Sequence, residues 1–520
     1  MRADNIQILL AGGLMADVAT SQSCPDYSSY SKERHEPFSS GKHALSYQRP
    51  APACRTFNSS TVETLVSNMT TAIADPDLYR LFENAYPNTL DTAIRWHGHA
   101  ANNSDEELTF IITGDIDAMW LRDSANQLQS YLPVLEPDPG TDSIASLYRG
   151  VINLQARYLL TSPFCNSFQP PAESGIPPAD NSAANSDTVS PPYDPAAVFE
   201  CKYELDSLAA FLQISTDYYE ATHDAAFFGR FQWAAAVRAV LATARAMTEP
   251  TYDDDGAVLA SPYTFTRQTA RATETLANDG LGSPVARGTG LVRSAFRPSD
   301  DSTLFQFLVP ANMMFSRYLG SAALIAAELG DDDLAEEMQT MSGALREAIS
   351  RYGIVPVASA NGSAVETVYA YEVDGYGSAV LMDDANIPSL LAAPFFGYLA
   401  ARDEVYQRTR ARLLDAKGNP YFMKGPQINA VGGPHAGPGM AWPMASIVRI
   451  LTSDNDDEIV AVLKEIVSTT DGLGLIHESV NSFDASKWTR QWFSWANGLF
   501  GQMILDLRFR KPHLLQESFQ

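Results

Sequence analysis

The sequence predicts a mainly α-helical fold, an (α/α)6 barrel, from its hydrophobic periodicity and the lengths of its connections. On the order of a dozen segments carry apolar residues at every third or fourth position, whereas convincing strands are few and short. The connections are alternately long and short, as expected for paired helices in an inner and an outer ring. No sequence repeat is present, so a stacked helical array is an alternative. At 520 residues, 45% of them hydrophobic, the chain is long enough to bury a large core.

The first predicted helix begins near Thr61. Ser60 and Glu63 have the spacing of a capping box, ahead of apolar positions that start at Leu65. A short β-branched strand is predicted over residues 108–112, and the next helix follows it from Ser124 onward. Further helices are predicted over residues 78–84, 143–160, 205–220, 225–247, 303–329, 334–352, 388–400, 404–414, 440–451, 458–467 and 493–507.

The chain divides into several predicted parts. Residues 1–20 resemble a weak secretory signal peptide, because a short apolar run is followed by small residues; an unstructured tail is the alternative. Residues 21–55 are predicted to form an extended N-terminal arm. Residues 56–510 form the predicted barrel, which carries a Pro-rich surface insertion at 166–200. Residues 511–520 form a C-terminal tail.

Sequons and cysteine usage favour an extracellular protein. Asn-x-Ser/Thr sequons, each weak alone, lie at Asn58, Asn68, Asn102 and Asn361. The four cysteines allow three connectivities, and proximity in the sequence favours the pairs Cys24–Cys54 and Cys165–Cys201. We therefore expect a secreted glycoprotein with two disulfide bonds.

Charge and motif spacing exclude several classes of ligand. Lys and Arg number 36 against 62 Asp and Glu, and the net charge of −26 repels nucleic acid and anionic membranes, so an uncharged substrate fits best. No Cys-x-x-Cys or His-x-x-x-His spacing occurs, so no metal is expected. No Gly-Lys-Ser/Thr phosphate loop is present either. We expect neither a cofactor, nor nucleic acid, nor a membrane as a partner.

The densest polar segment is residues 113–124, which joins a predicted strand to a predicted helix. It contains Asp115, Trp120, Arg122 and Asp123. Carboxylates and guanidinium groups hydrogen-bond to sugar hydroxyls, and a flat indole covers the apolar face of a pyranose. The segment therefore predicts a carbohydrate subsite. The alternative is that Arg122 pairs with a neighbouring Asp and that Asp123 caps the helix.

Adjacent carboxylates mark a second loop. Asp300 and Asp301 follow Arg297 and precede a long apolar helix. Two carboxylates side by side disfavour joint ionisation, so one of them is expected to hold a proton near neutral pH, as a general acid requires. The alternative is that one only caps the helix. Glu204 and Asp206 likewise either favour the N-terminal dipole of a helix or belong to a site.

The last polar region combines a carboxylate with aromatic rings. Glu478 is placed to orient a water molecule; the alternative is a buried Glu paired with Arg490. Trp488, in a predicted loop, is the better sugar platform. Trp492 and Trp495 lie three apart on a predicted helix, so at least one of them is expected in the core.

These motifs resemble glycoside hydrolase family 125, in the segments 113–124, 296–301, 383–390, 477–478 and 492–497. The string Thr-Gly-Asp-Ile-x-Ala-Met-Trp-Leu-Arg-Asp-Ser is the most specific, and only the arm and the Pro-rich insertion fall outside the resemblance. It implies an (α/α)6 barrel and an inverting, exo-acting α-1,6-mannosidase without a metal. The implied substrate is a mannose-containing oligosaccharide or glycoprotein glycan.

Carried over by motif, the general acid is Asp300 or Asp301 and the general base is Glu478. Inversion needs a water between substrate and base, which predicts carboxyl groups roughly 6.5–9.5 Å apart. The resemblance places substrate-binding residues at Asp115, Trp120, Arg122, Asp123, Arg297, His477, Trp488 and Arg490. The alternatives are an inverting glycosidase with another sugar or linkage on the same barrel, and a non-catalytic mannan-binding protein.

Overall fold

The computed structural model describes residues 24–358 and 364–520. The predicted signal peptide at residues 1–20 and the sequon at Asn361 lie outside this part. The sequons at Asn58, Asn68 and Asn102 are exposed. Within the described ranges, no helix has the length and apolar character needed to cross a membrane.

Helices carry most of the regular structure, as predicted. In chain order they are α1 (Tyr27–Tyr30), α2 (Ser60–Asn68), α3 (Pro76–Ala85), α4 (Leu121–Gln129), α5 (Ile144–Thr161), α6 (Leu205–Thr222), α7 (Ala225–Phe228), α8 (Trp233–Ala246), α9 (Val309–Glu328), α10 (Asp332–Ala348), α11 (Glu404–Leu413), α12 (Pro443–Leu451), α13 (Asp456–Ser468) and α14 (Ser494–Arg510). The cap of α2 is Ser59, whose side chain accepts from the Val62 N–H, rather than the predicted Ser60.

The strands are short and lie in the connections between helices. They are β1 (Ile94–Ala100), β2 (Asn103–Ile111), β3 (Met119–Trp120), β4 (Ser167–Phe168), β5 (Thr188–Ser190), β6 (Val198–Glu200), β7 (Thr264–Thr266), β8 (Phe307–Leu308), β9 (Ile354–Ala358), β10 (Val365–Tyr369), β11 (Glu372–Val373), β12 (Ala379–Val380), β13 (Phe422–Lys424), β14 (Asn429–Val431), β15 (Met440–Ala441), β16 (Ser479–Asn481) and β17 (Asp484–Thr489). They pair antiparallel in sheets of two or three strands, such as β3-β4-β6 and β15-β16-β17.

Alternate helices form the two rings of the barrel. α4 packs against α6 and α6 against α9, while α12 packs against α14 and α14 returns to α4. All nine residues of α4 are buried, as expected for an inner helix. α5, α10 and α13 each pack on the outside of an inner neighbour, namely α6, α9 and α12. The predicted (α/α)6 barrel is therefore confirmed.

The predicted helix at residues 388–400 is wrong. The segment is a series of buried turns, at the place in chain order where the alternation of rings calls for an inner helix. Pro394 has no N–H for a helical hydrogen bond, and Gly397 adopts a left-handed φ of +74°. The Asp383 carboxylate accepts from the N–H groups of Leu390 and Leu391. These hydrogen bonds hold the start of the segment in a turn instead of a helix.

Several other helices differ from their predicted limits. The predicted helix at 225–247 is two helices, α7 and α8, separated at Gly229–Gln232. α9 and α12 begin later than predicted, because the strands β8 and β15 precede them and a proline occupies the first turn of each helix. Apolar periodicity alone does not predict where a strand ends and a helix begins within a few apolar residues.

Both predicted disulfide bonds are confirmed. Cys24 bonds to Cys54 across 30 residues, and Cys165 bonds to Cys201 across 36 residues. The first closes the N-terminal arm, and the second joins the two ends of the Pro-rich insertion.

The described part of the N-terminal arm and the last residues of the chain pack onto the barrel. In the arm, Leu45 is fully buried and Arg49 forms an ion pair with Asp91 at 2.7 Å. At the other end, Phe519 is 2% exposed and its N–H donates to Asp75 at 2.8 Å. These contacts attach the arm to Asp91 and the last residues to the N-terminal end of α3.

Candidate active site

One cavity of about 360 Å³ collects most of the residues that the sequence singled out. Its walls are connections between helices and the first turns of α4 and α14, supplied by segments far apart in the chain. Six predicted site residues line it, namely Trp120, Arg122, Asp123, Asp300, Glu478 and Arg490. The barrel therefore joins the N-terminal, central and C-terminal motifs in a single site.

The segment 113–124 docks onto the start of α14. Gly114 adopts a φ of +134°, and a Cβ there would lie 2.1 Å from the Trp492 carbonyl oxygen, so only glycine allows this approach. The Asp115 N–H donates to the same carbonyl at 3.3 Å, and the Ser494 N–H donates to the Thr113 carbonyl at 2.9 Å. This docking brings the start of the segment beside the C-terminal motif.

Arg122 is the electrostatic centre of one wall. Its Nη1 donates to Glu204 at 2.7 Å and to Asp206 at 3.3 Å, and its Nη2 lies 3.2 Å from Asp123. Nη2 is also 4.0 Å from Asp300. Arg122 therefore pairs with a neighbouring acid, as the alternative prediction stated. The paired side chains nevertheless form part of the cavity wall.

Asp300 projects into the cavity from a tight turn. Its φ is +65°, a left-handed conformation that is costly for a residue with a side chain. Trp120 Nε1 donates to Oδ1 at 3.1 Å and Asn166 Nδ2 donates to the same oxygen at 2.9 Å. The side chain remains 23% exposed. The strained backbone thus holds a carboxyl group at the edge of the cavity with one oxygen fixed.

Asp301 points elsewhere. It is 2% exposed, does not line the cavity, and forms an ion pair with His435 Nδ1 at 3.3 Å. Burial lowers the pKa of His435, but the hydrogen bond to Asp301 and the charges of Asp301, Glu478 and Asp300 outweigh burial and raise this pKa to about 9. The His435 side chain, which lines the cavity, therefore carries a positive charge at neutral pH.

Glu478 lies on the strand side of the cavity, immediately before β16. Thr489 Oγ1 donates to it at 2.9 Å, and Arg490 Nη1 lies 3.3 Å away. Arg490 also binds Asp115 at 2.7 Å and Thr113 at 2.9 Å. The predicted pairing of Glu478 with Arg490 is present, and it fixes the direction of a carboxylate that still lines the cavity.

The other predicted substrate-binding residues support the walls without lining the cavity. Arg297 is buried against Glu372, 2.6 Å from its carboxylate. The His477 ring is 1% exposed and stacks on Trp488 at 4.6 Å. Trp488 Nε1 donates to Asp471 at 3.1 Å. Asp115 reaches the site only through Arg490.

The Pro-rich insertion contributes to the cavity, which the sequence did not indicate. Asn181, Phe199 and Glu200 line it, and the Phe199 ring packs edge-on to Trp120 at 5.6 Å. The insertion is attached to the barrel by pairing of β5 with β7 and by Arg267, which lies 2.7 Å from both Asp187 and Glu200. In the sequence, only the predicted pairing of Cys165 with Cys201 indicates that the two ends of the insertion lie close together.

Further lining residues were also missed. Lys202, Asn386, His435, Trp442 and Phe493 line the cavity. His435 lies in a Gly- and Pro-rich run, which is a signal for a loop but not for a charged group. At least one of Trp492 and Trp495 was expected in the core, and Trp495 is fully buried but also contributes to the lining.

The donor set does not form a metal site in the described part of the chain. No group of three or more His, Cys, Asp or Glu side chains there is arranged to hold a metal ion. Of the acids that line the cavity, Asp123, Asp300, Glu200 and Glu478 are instead close to Arg122, Arg267 or Arg490. Two carboxyl groups from separate loops, with indole rings and fixed donors around them, are what acid–base hydrolysis of a sugar requires.

Comparison with known proteins agrees with this chemistry. The family model described as metal-independent alpha-mannosidase (GH125) matches residues 75–505. The meiotically up-regulated gene 157 protein of Schizosaccharomyces pombe is 46% identical over 498 residues, which cover 96% of this chain and 95% of that protein.

A solved structure of a Streptococcus pneumoniae metal-independent alpha mannosidase, in a non-productive complex with alpha-1,6-mannobiose, is also similar. The two chains are 32% identical with a TM-score of 0.74, and the match covers 88% of this chain and 100% of the bacterial one. The chain therefore belongs to glycoside hydrolase family 125, the metal-independent α-mannosidases.

Proposed function

We propose that this protein is an inverting exo-α-1,6-mannosidase that releases terminal mannose from oligosaccharides or glycoprotein glycans. The observation that carries the proposal is that Asp300 and Glu478 line one cavity from different loops, with Trp120 beside Asp300. The α-1,6 linkage is supported by the ligand of the bacterial relative. The net charge of −26 also favours an uncharged substrate.

In this proposal Asp300 is the general acid. Between the two adjacent candidates, only Asp300 lines the cavity, whereas Asp301 is engaged by His435. Trp120 and Asn166 fix one oxygen of Asp300, so the carboxyl group keeps one orientation toward the glycosidic oxygen. Asp301 then acts on the substrate only through the charge and position of His435.

Glu478 is the general base. It removes a proton from water as the water oxygen bonds to C1, while the bond from C1 to the glycosidic oxygen breaks and Asp300 protonates that oxygen. Thr489 and Arg490 orient the Glu478 carboxylate during this step. The product mannose has the β configuration when it is formed, because water attacks the face opposite the leaving group.

Proton NMR of α-1,6-mannobiose digestion tests linkage and stereochemistry together. We expect the β-mannose signal first and α-mannose only after mutarotation. The Asp300→Asn and Glu478→Gln variants should each lower kcat by about 10²–10⁴-fold, the range of general acid–base catalysis. The Asp301→Asn variant should retain more activity than Asp300→Asn.

Each other outcome has a definite meaning. α-Mannose as the first product contradicts inversion, and cleavage of α-1,2- or α-1,3-mannobiose in preference to the α-1,6 isomer contradicts the linkage. Saturable binding without turnover would leave a mannan-binding protein. Equal activity of the Asp300→Asn variant and the wild type contradicts the assigned acid.

Secretion is part of the proposal and is supported by separate features. Two disulfide bonds and three exposed sequons are typical of extracellular proteins. Expression of the full chain in a eukaryotic host should deliver it to the medium, with a mass that decreases on treatment with peptide N-glycosidase. Retention of an unglycosylated protein inside the cells contradicts this part.

A further inference from the structure

Glu204 lies directly behind Asp300 and is closed off from solvent. It precedes α6 and is 1% exposed. Its Oε2 accepts from Arg122 Nη1 at 2.7 Å and from Ser207 Oγ at 3.0 Å. Its Oε1 accepts from Asn166 Nδ2 at 3.2 Å. Since Asn166 Nδ2 also donates to Asp300 Oδ1, at 2.9 Å, one amide bridges the two carboxyl groups.

Both carboxyl groups also lie beside the Arg122 guanidinium, whose Nη1 is 2.7 Å from Glu204 and whose Nη2 is 4.0 Å from Asp300. Two carboxyl groups that share one bridging amide in a buried setting disfavour joint ionisation, so we expect one proton within the pair. We propose that Glu204 stores the proton that Asp300 delivers to the leaving group, and that it acts as a positioning residue which never touches the substrate. This inference rests on the proposed function of Asp300.

The charges around the pair determine where the proton resides. Burial, together with the charges of Asp300 and Asp206, raises the pKa of Glu204 well above its usual value despite the opposing effect of Arg122. Burial also acts to raise the pKa of Asp300, but Arg122, Lys202, the hydrogen bond with Glu204 and His435 outweigh it and lower that pKa. In the resting enzyme Glu204 is therefore the protonated member and Asp300 the ionised one.

Arg122 makes the stored proton available. When Glu204 passes its proton to Asp300, the Glu204 carboxylate that remains faces the Arg122 guanidinium and the Ser207 hydroxyl. Asp300 then gives a proton to the glycosidic oxygen as its bond to C1 breaks, and Glu478 takes one from water. The cycle closes when Glu478 releases its proton to solvent and Glu204 takes one up.

The charged groups facing the pair come from several elements. They are Arg122 and Asp123 of α4, Asp206 of α6, Lys202 beside the insertion, and His435. Raising the pH removes the stored proton, so Glu204 should set the alkaline limb of the pH profile of kcat. Without a titratable partner, Asp300 loses its proton at lower pH, since Arg122 and Lys202 favour its ionised form.

Comparison of activity on two substrates distinguishes proton delivery to the leaving group from the other steps of hydrolysis. Hydrolysis of α-1,6-mannobiose needs a protonated leaving group, whereas α-mannosyl fluoride releases fluoride without one. The Glu204→Gln variant should lose about 10–100-fold in kcat on mannobiose, less than the 10²–10⁴-fold of general acid catalysis because Asp300 itself remains, and about threefold or less on the fluoride. Its alkaline limb on mannobiose should move to lower pH.

Asp206→Asn is the matched control. Asp206 is buried, contacts Arg122 at 3.3 Å and lies in the first turn of the same helix, but in the described part of the chain it does not accept from the Asn166 amide that bridges Glu204 and Asp300. This variant should change both substrates by one common factor. The Glu204→Asp variant, which keeps a titratable carboxyl group, should retain an alkaline limb above that of Glu204→Gln.

The outcomes separate this inference from the proposed function. An equal loss on both substrates by Glu204→Gln, or an unmoved alkaline limb, would overturn the role of Glu204 while leaving Asp300 as acid. Wild-type protein that cleaves neither substrate, or an Asp300→Asn variant with full activity on mannobiose, would overturn the proposed function itself. If circular dichroism shows Glu204→Gln unfolded, Glu204→Asp carries the test, with a smaller loss on mannobiose alone expected.

Discussion

At the scale of single residues, the pair formed by His435 and Asp301 makes folding stability depend on pH. Burial lowers the pKa of His435, but Asp301, Glu478 and Asp300 raise it to about 9. The unfolded side chain titrates near 6.5. The bound proton therefore stabilises the folded state fully below pH about 6.5, and this stabilisation is lost as the pH rises through about 9.

The His435→Gln variant lacks this titration. Its Tm should be furthest below that of the wild type in acid, at pH about 6, and the two values should converge above pH about 9. Thermal unfolding followed by circular dichroism across that range measures the difference. A gap in Tm that stays constant over the whole range would show that His435 does not carry a proton in the folded protein.

The sequence predicts the acids of the site but not their directions. The motif placed Asp300 and Asp301 together, and only the left-handed backbone at Asp300 aims one toward the cavity and the other toward His435. A local motif does not contain this information, because the turn is stabilised by contacts with Tyr203 and Thr273 from distant parts of the chain. His435 was missed because its Gly- and Pro-rich surroundings indicate only a loop, and its charge depends on Asp301, which is distant in the sequence.

At the scale of elements, substitution of two glycines, one in a turn and one in a helix, tests why residues 388–400 are not helical. Gly397 has a φ of +74°, and an added Cβ would lie 3.2 Å from Arg317. A side chain in that conformation costs roughly 1–2 kcal/mol. Gly343, in the middle of α10, faces open space.

We expect Gly397→Ala to lower the free energy of unfolding by about 1–2 kcal/mol. The control Gly343→Ala should raise it by about 0.5–1 kcal/mol, because alanine favours a helix over glycine. Urea denaturation of both variants measures the two changes. A stabilising Gly397→Ala substitution would mean that the segment can become helical, contrary to its turns.

The insertion gives a second prediction at this scale. Phe199 lines the cavity and contacts Trp120, so it is placed to contact the sugar next to the cleaved mannose. An aromatic contact of this kind contributes about 0.5–1.5 kcal/mol. Phe199→Ala should therefore raise KM for α-1,6-mannobiose about 2–10-fold, with little change for α-mannosyl fluoride, which has no second sugar.

Val189→Ala is the control for that measurement. Val189 lies in β5 of the same insertion and pairs with Phe265 of β7, away from the cavity lining. Its KM for both substrates should stay at the wild-type value. An unchanged KM for mannobiose in Phe199→Ala would place the second sugar elsewhere.

At the scale of the whole molecule, the barrel was predictable because it depends on repeated local signals. The type of element and the approximate position of most helices follow from apolar spacing along the chain. The cavity was not predictable in the same way, since its walls come from segments as far apart as Thr113 and Trp495. The two disulfide bonds are tertiary contacts that were nevertheless predictable, because the paired cysteines lie close together in the sequence.

The disulfide bonds should therefore have different effects when removed. Each closes a loop of similar length, 30 and 36 residues, so each should contribute about 3–4 kcal/mol to stability in the chain-entropy model. Only Cys165–Cys201 adjoins the site. Asn166 follows the first cysteine and donates to Asp300, and the N–H of Lys202, after the second, donates to Asn166 at 3.1 Å.

Removal of Cys165–Cys201 by paired Cys→Ala substitution should thus lower kcat on α-1,6-mannobiose as well as Tm. The Cys24–Cys54 pair, removed in the same way, should lower Tm by a similar amount and leave kcat near that of the wild type. Both are assayed at a temperature where circular dichroism shows them folded. If the two variants kept equal activity, Asn166 would hold its place without the disulfide, and the bond would stabilise the chain without orienting the acid.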